Sequence, residues 1–397
     1  MRPGRACFGA SGSGFFTYGV RVSVEVRELS QGGKLQDFLG VVDYIYRDDP
    51  HYVRPLDLEV KSRLSRSNPF FEHAEAAFFV AYRNGWCVGR CSAQIDHEHL
   101  QRHRDDAGFF GFFDTDNDPE VAKALLDAAS RWLSDRGMKK IRGPFSLNIN
   151  DETGCLVEGF DTPPMVMMPH HNAYQGGLIE AAGFAKHKDL YAWRYSTGEV
   201  PTRVQKAHDD IEAMPEVYSR HVDTKEIERD VRLVMDVYND AWNENWSFVP
   251  LTENELSKMA KDFKLILDPS ITQIAYVRGE PAAVAVALPN FNEAIGDLHG
   301  RLFPLGAAKL YYRVKVRGIS SARLIILGIR KKFRADRKYA GLSLYLYHKL
   351  NASGRQSGYR WGELGWTAED NGPVNAGIRL MGGKIYKRYR VYEAPLA

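Results

Sequence analysis

Cysteine is scarce in this chain: Cys7, Cys87, Cys91 and Cys155 are the only four in 397 residues. They are too few and too irregularly spaced for a disulfide framework. Cys87 and Cys91 lie four apart in WCVGRC, a strand-like stretch whose alternation puts both on one face. No Cys or His follows at zinc spacing, so no metal is expected. Long apolar runs are missing too; none approaches the ~18 residues that a membrane span needs. The first twenty residues, MRPGRACFGASGSGFFTYGV, lack the continuous apolar stretch of a secretory signal. Gly9, Gly12 and Gly14 follow no strand and lead into no helical pattern, so residues 1–20 read as a flexible leader and the protein as cytoplasmic. A formal net charge of only +3 gives no global attraction to nucleic acid, and no nucleic-acid partner is expected.

What is present is enough chain for two domains of ~150 residues or more. From Val22 the pattern runs strand, helix, hairpin at Asn84-Gly85, strand, long helix from Asp118-Pro119, strand, short helix ending at Gly183-Phe184, and the strand DLYAWRY. Regularity fades over 201–226, which contains Pro201 and Pro215 and reads as a linker between lobes at 21–200 and 227–397. The second lobe repeats the order: a helix with Trp242 and Trp246, a hairpin near Gly279, the strand ARLIILGI, a long helix, a strand, a short helix and the closing strand KIYKRYRVYE. The expected class is α/β (α+β), a mixed sheet with helices on its faces. No residue-level repeat is visible, so an ancient tandem stands or falls on whether the halves share a strand order.

The most informative stretch is LGIRKKFRADRKYAGLS, Leu327 to Ser343. A strand runs into a basic loop and then into a glycine-containing helix start. Amides at a helix N-terminus lack intrahelical partners and sit at the positive end of the dipole, so they bind phosphate. Gly341 would leave the backbone open to a ligand. Arg330, Lys331, Lys332, Arg334, Arg337 and Lys338 place six cations beside it.

This stretch resembles the acyl-CoA motif of GNAT acyltransferases, an aromatic-Arg pair followed by a basic, glycine-containing turn. Phe333-Arg334 matches the pair and Lys338 to Ser343 the turn. The resemblance implies donor binding by Leu327, Gly328, Arg334, Arg337, Lys338, Gly341, Leu342 and Ser343. Its looser spacing leaves room for the phosphopantetheine arm of an acyl carrier protein as well as free acyl-CoA. ELGWTAEDN, NAGIRLMGG and KIYKRYRVYE resemble the GNAT ending, and so do GLIEAAGF and DLYAWRY in the first half, which lacks a basic glycine turn. Only the second lobe is therefore expected to hold the donor. Across both halves, GPFSLNINDETGCLVEGFDTPPMVMMPHH and ELGWTAEDN resemble a bacterial family of ~380-residue tandem GNAT-like proteins that includes the bacterial ceramide synthases.

An amine attacking a thioester needs a base and a polarised carbonyl, or a pocket that favours the neutral amine. Glu363 is the candidate base, next to where the resemblance puts the donor carbonyl. Asn371, or Asn375, matches the family's asparagine. The place of the family's tyrosine acid is taken by Ile378 or Arg379. In Gly143–Asn172, Asp151 and Glu152 sit on a turn, Met165, Met167 and Met168 offer an adaptable apolar wall, and His170-His171 closes the run. Adjacent histidines on an extended chain point opposite ways, which disfavours a metal. Asp151, Glu152 and His170 are the candidate substrate-binding groups of an acceptor pocket between the lobes. The expected reaction is N-acylation from acyl-CoA or an acyl-carrier-protein thioester. The acceptor is a small-molecule or lipid amine, with a sphingoid base as the specific choice; the aromatic pairs Phe70-Phe71 and Phe112-Phe113 suit a lipid and an ordinary core alike. Left open are an aminoacyl or peptidoglycan-type transfer, a non-catalytic module that binds CoA or a carrier protein, and contact with the inner membrane.

Overall fold

The structure, a computed structural model, describes residues 23–29 and 35–397, so the expected leader and Cys7 lie outside the described residues. Among the described residues, thirteen strands form one sheet: β1 Glu25–Leu29, β2 Ala74–Arg83, β3 Trp86–Asp96, β4 Ala107–Thr115, β5 Lys140–Gly143, β6 Cys155–Glu158, β7 Ala185–Ser196, β8 Val217–His221, β9 Thr272–Val277, β10 Glu280–Pro289, β11 Ser321–Ile329, β12 Trp361–Ala368 and β13 Lys384–Pro395. Their spatial order is β1-β2-β3-β4-β5-β13-β7-β12-β11-β10-β9-β8, with β6 on β13.

That order contains the same path twice. β1 to β4 pair antiparallel and β4 with β5 parallel. β8 to β11 pair antiparallel and β11 with β12 parallel. Each path is then completed by the other half's last strand: β13 joins β5 and β7 joins β12, both antiparallel. β7 and β13 pair with each other from Ala185↔Glu393 to Arg194↔Lys384. The halves therefore share a strand order while exchanging their closing strands.

Local sequence accounts for the repeated hairpins. Asn84-Gly85 and Arg278-Gly279 both take positive φ at both positions, 54° and 79° in one and 54° and 78° in the other. That is the primed two-residue turn whose twist matches flanking strands. The helix Pro119–Ser134 starts on Asp118, whose side chain accepts from the Glu120 amide. It buries Leu125, Leu126, Ala129 and Leu133 against residues of β2 and β3, each leucine worth roughly 1.5–3 kcal/mol when fully removed from water.

Three expectations are corrected. The stretch 201–226 is no irregular linker: it holds the helix Thr202–Glu212 and β8, and Pro201 stands at the helix start, where its missing N–H costs nothing. The helix Glu253–Ile266, closed by a capping box of Thr252 and Glu255, has no counterpart in the sequence reading. Cys87 and Cys91 face opposite sides, because the register of β2 against β3 slips between Ala81 and Tyr82 and flips the alternation there.

The two parallel pairs part in different ways. β4 and β5 pair only from Ala107↔Lys140 to Phe109↔Arg142. Beyond that the segment 144–147 fills the gap: the Phe145 amide donates to Phe110 O at 2.7 Å, and Gln94 Nε2 donates to Phe145 O at 2.5 Å and Leu147 O at 3.1 Å. Packing is so close that a Cβ on Gly111 would lie 1.7 Å from Phe145 O. β11 and β12 pair from Ser321↔Trp361 to Leu324↔Leu364, and their parting opens on a cavity instead. Gly111→Ala must push the plugging segment's backbone out of place, and a loss of about 3 kcal/mol is expected. Denaturant unfolding checks it; a midpoint equal to the parent's would show that the plug yields freely.

Candidate active site

The cavity, about 1040 Å³, lies where the halves meet. Its walls are largely apolar and include Phe112, Met168, Met235, Phe263, Ile295 and Trp366. Met167 also lines it, whereas Met165 is buried behind it. The volume sits at the upper end of ordinary ligand sites, which run to ~1,000 Å³.

Six carboxylates, Glu59, Asp114, Asp151, Glu152, Glu255 and Asp262, line this cavity, with the guanidiniums of Arg63, Arg90 and Arg323 and the ammoniums of Lys258 and Lys315. Arg63 lies 3.5 Å from Glu59 and 3.6 Å from Glu152. Burial pushes the Asp151 carboxyl up to about 7, and the charges of Glu152 and Glu59 add to this against the pull of Arg63. The turn that carries Asp151 is held by Asn148, whose side chain accepts from the Asn150 amide at 2.9 Å. His170 and His171 also line the cavity and face different partners. His170 Nε2 sits 2.7 Å from Asp49 Oδ2, while its Nδ1 is buried with no partner. His171 Nδ1 accepts from the Leu156 amide at 3.1 Å, and burial holds this ring at about 4. Both rings are therefore neutral near pH 7. Among the described residues, no group of three or more His, Cys, Asp or Glu side chains could hold a metal ion.

On the second half's side stands Arg323, a lone cation inside an apolar strand. Its Nη1 donates across the halves to Val166 O at 3.1 Å and Met167 O at 3.2 Å. Its Nε donates to Glu363 Oε1 at 2.9 Å, and its Nη2 makes no hydrogen bond among the described residues. Glu363 is fully buried, and its second oxygen accepts from the Tyr386 hydroxyl at 2.5 Å. Glu363 thus stands behind the cavity wall, joined to the lining through Arg323. Burial and the Glu363 charge push the Tyr386 phenol far above its usual range. Lys387, also buried, donates to Gly159 O at 2.6 Å and Thr162 O at 2.7 Å, and burial lowers it to about 8. Asn371 caps the helix Gly372–Leu380, accepting from the Val374 amide at 3.4 Å, and is not a cavity residue. Asn375 binds Thr367 Oγ1 at 2.6 Å and the end of β12.

The basic stretch is neutralised from within. Arg330 pairs with Asp236, Lys331 with Glu244, Lys332 with Glu280 and Lys338 with Glu216. Arg334 Nη1 donates to Ala241 O at 3.2 Å, and Arg337 makes no ion pair among the described residues. Gly328 packs on the helix Ile227–Trp242: a Cβ there would lie 3.2 Å from the Ala241 Cβ. Leu327 O accepts from Trp242 Nε1 at 3.4 Å. At Gly341 a Cβ would meet Ile211 Cγ1 at 3.0 Å and Ala207 O at 3.3 Å. The glycine there lets the helix Thr202–Glu212 approach, which is a packing reason for glycine at this position. No side chain caps the helix Leu342–Gln356 that follows, in which Leu342 is buried and Ser343 half-buried.

No family model matches the sequence. Two curated proteins match along almost its whole length. It is 39% identical to the bacterial ceramide synthase of Caulobacter vibrioides over 368 residues, 91% of this chain and 95% of that one. It is 37% identical to protein YghO of Escherichia coli over 370 residues, 93% and 94% of the two chains. The chain belongs to the tandem GNAT-like acyltransferase family that includes the bacterial ceramide synthases. The fold agrees. A tandem GNAT protein from the clavulanic acid biosynthesis pathway superposes with a TM-score of 0.53 at 13% identity, covering 94% of this chain and 99% of that one. A GCN5-related N-acetyltransferase from Sphaerobacter thermophilus gives 0.52 at 12% identity, covering 94% and 96%. The protein is an acyltransferase.

For this acyltransferase the sequence reading singled out Asp151, Glu152 and His170, and all three line one cavity. It missed Glu59, Arg63, Asp49, Arg323, Tyr386 and Lys387. Arg323 carried a usable signal, an arginine within ARLIILGI. The others lie on ordinary amphipathic stretches and gain meaning only from the exchange of strands. Asp151 gives a test on stability. The native chain keeps this proton up to about pH 7, while an unfolded aspartate releases it near about pH 4. The folded state binds the extra proton, so this contribution to stability is full below pH 4 and is lost as pH rises towards 7. Asp151→Asn should therefore gain on the parent between pH 4 and 7, with a constant difference outside that window. Melting temperatures taken across the range check it; parallel curves would refute a raised Asp151.

Proposed function

We propose that the enzyme transfers a long-chain acyl group from an acyl-CoA or acyl-carrier-protein thioester to the amine of a long-chain, sphingoid-type base. The observation that carries this is the cavity itself. One large apolar space joins the carboxylate turn of the first half to the open parting of β11 and β12 in the second. An amine with a long tail needs both a place for its ammonium and a dry wall for its chain. The name of the Caulobacter relative points the same way.

In this reading the halves divide the work. The first half, its strand parting plugged by residues 144–147, supplies the acceptor pocket, and the second half takes the donor. The uncapped helix start at Leu342, with Gly341, Ser343, Arg334, Arg337 and Lys338 around it, receives the donor's phosphates. The internal ion pairs there do not forbid this, because exposed pairs are worth only about 0–1 kcal/mol each and a phosphate can replace them. The thioester reaches along Leu327 and Gly328 to the parting.

Glu152 and Asp151 draw the ammonium, and Asp151, poised near neutrality, takes its proton. The free amine attacks the carbonyl carbon; the N–C bond forms, the attached nitrogen sheds its second proton to water, the C–S bond breaks, and the thiolate leaves. Arg323 Nη2 steadies the carbonyl oxygen. Glu363 acts through Arg323 as a positioning residue, and Asn371 sets the helix that follows β12. With Ile378 and Arg379 where the family carries a tyrosine, the thiolate takes its proton from water.

The assay is purified protein with palmitoyl-CoA or palmitoyl carrier protein, offered dihydrosphingosine and, separately, a short-chain amino alcohol. The expected product is the N-acylated long-chain base, with a rate that rises through about pH 7. Asp151→Asn should lose about 10²-fold in kcat and flatten that rise. No transfer from either thioester to the long-chain base, or equal turnover of the short amine, would remove the reading.

A further inference from the structure

The segment 301–318, RLFPLGAAKLYYRVKVRG, contains five cations and no acid. It folds as the helix Gly306–Tyr312, continued by one wider turn over Arg313–Arg317. Its inner face belongs to the cavity: Leu302, Ala307, Leu310 and Val314 line it. Its exposed side carries large apolar side chains among its cations. Phe303, Leu305, Tyr312 and Val316 are between 58% and 83% exposed, and Tyr311, which also lines the cavity, is 68% exposed. Leu58, which follows the Asp57 amide that donates to Gly300 O at 2.9 Å, lines the same space and is 68% exposed. A surface helix normally turns one apolar stripe inward and a polar face to water; this one adds large apolar side chains to its exposed side. An apolar patch of this kind marks a surface that meets something.

The charges say what. Asp297 pairs with Lys309 and Arg313. Arg301, Lys315 and Arg317 are exposed and make no ion pair among the described residues. Aromatic and aliphatic side chains flanked by unpaired Lys and Arg match the boundary of an anionic bilayer, where rings sit at headgroup depth and cations meet phosphates. No helix among the described residues is long and apolar enough to cross a membrane, so the contact is peripheral.

We infer that residues 301–318, with Leu58 beside them, dock this enzyme on an anionic membrane surface and set the cavity against the lipid, so that a bilayer-borne amine enters without crossing water. The entry of the amine rests on the function proposed above; the docking does not.

The test uses the full chain with vesicles of phosphatidylethanolamine and phosphatidylglycerol, against vesicles of phosphatidylcholine alone, with no acyl donor present. The parent should float with the anionic vesicles and stay largely unbound with the neutral ones. Phe303→Ser/Leu305→Ser/Val316→Ser and, separately, Arg301→Glu/Arg317→Glu should each weaken anionic-vesicle binding roughly tenfold or more. None of these five residues lines the cavity, so turnover of a detergent-dispersed amine should be kept while that of a vesicle-borne amine falls. The charge variant keeps the test decisive where the apolar variant loses its melting transition. A parent that ignores anionic vesicles, or variants that bind them as the parent does, would overturn the docking. So would a parent dimer that the apolar variant turns to monomer, since the surface would then meet a second copy. Failed acyl transfer with intact vesicle binding would sink the proposed reaction alone.

Discussion

The antiparallel ladder between β7 and β13 is the contact on which the site depends. Each strand is the last element of its half, and each finishes the sheet of the other half. Removing either would leave two open edges, one on β5 or β12 and one on its central partner, and unpaired edges in a buried sheet cannot be satisfied by water. Neither half can therefore close alone. Met168 and Trp366 of the cavity wall pack in one cluster with Leu190, Ala192, Tyr389 and Val391 of this ladder, so the ladder supports the site from behind.

The same path laid down twice gives two partings of parallel strands, and the chain treats them oppositely. In the first half the plug satisfies its backbone through Phe110 and Gln94 and seals the gap at Gly111. In the second half β12 slips in register against β7 between Leu364 and Thr367, and Gly365 and Trp366 become cavity wall. A single open parting suits a transferase that holds one thioester and one amine. The plug does more than close a gap: it leads directly into the turn that presents Asp151 and Glu152 to the cavity.

Much of the fold was legible because it is local. Hairpins at Asn84-Gly85 and Arg278-Gly279, the Asp118 cap and the order of elements follow from turn chemistry and periodicity, which need only near neighbours. The strand exchange was not legible, since β5 with β13 and β12 with β7 join segments far apart in the chain, and apolar alternation reads alike for any partner. Thr252-x-x-Glu255 was a readable helix start that went unread. The segment 201–226 misled because its prolines looked like breaks when one of them opens a helix. At the site, the acids of the 143–172 stretch were visible as a dense polar run. The basic stretch showed its charge but not its partners: Asp236 and Glu244 come from the helix Ile227–Trp242 and the turn after it, Glu216 from just before β8 and Glu280 from the start of β10.

Glu363 shows how an acid can matter without facing substrate. A buried Arg–carboxylate pair is poor value as a stabiliser, because desolvating both ions offsets their attraction, yet removing one partner strands the other at a cost of about 3–5 kcal/mol. Such a pair earns its place when it fixes a geometry. Here Arg323 is gripped from three sides: by Glu363 on the next strand, and by the carbonyls of Val166 and Met167 from the other half. Tyr386, on the exchanged strand β13, holds the far oxygen of Glu363. Every contact that sets the guanidinium thus crosses a strand or a half, and its remaining nitrogen is aimed only once both halves have closed. Preorganisation of this kind costs no rearrangement when charge develops on a substrate oxygen, and that is the role proposed for Arg323.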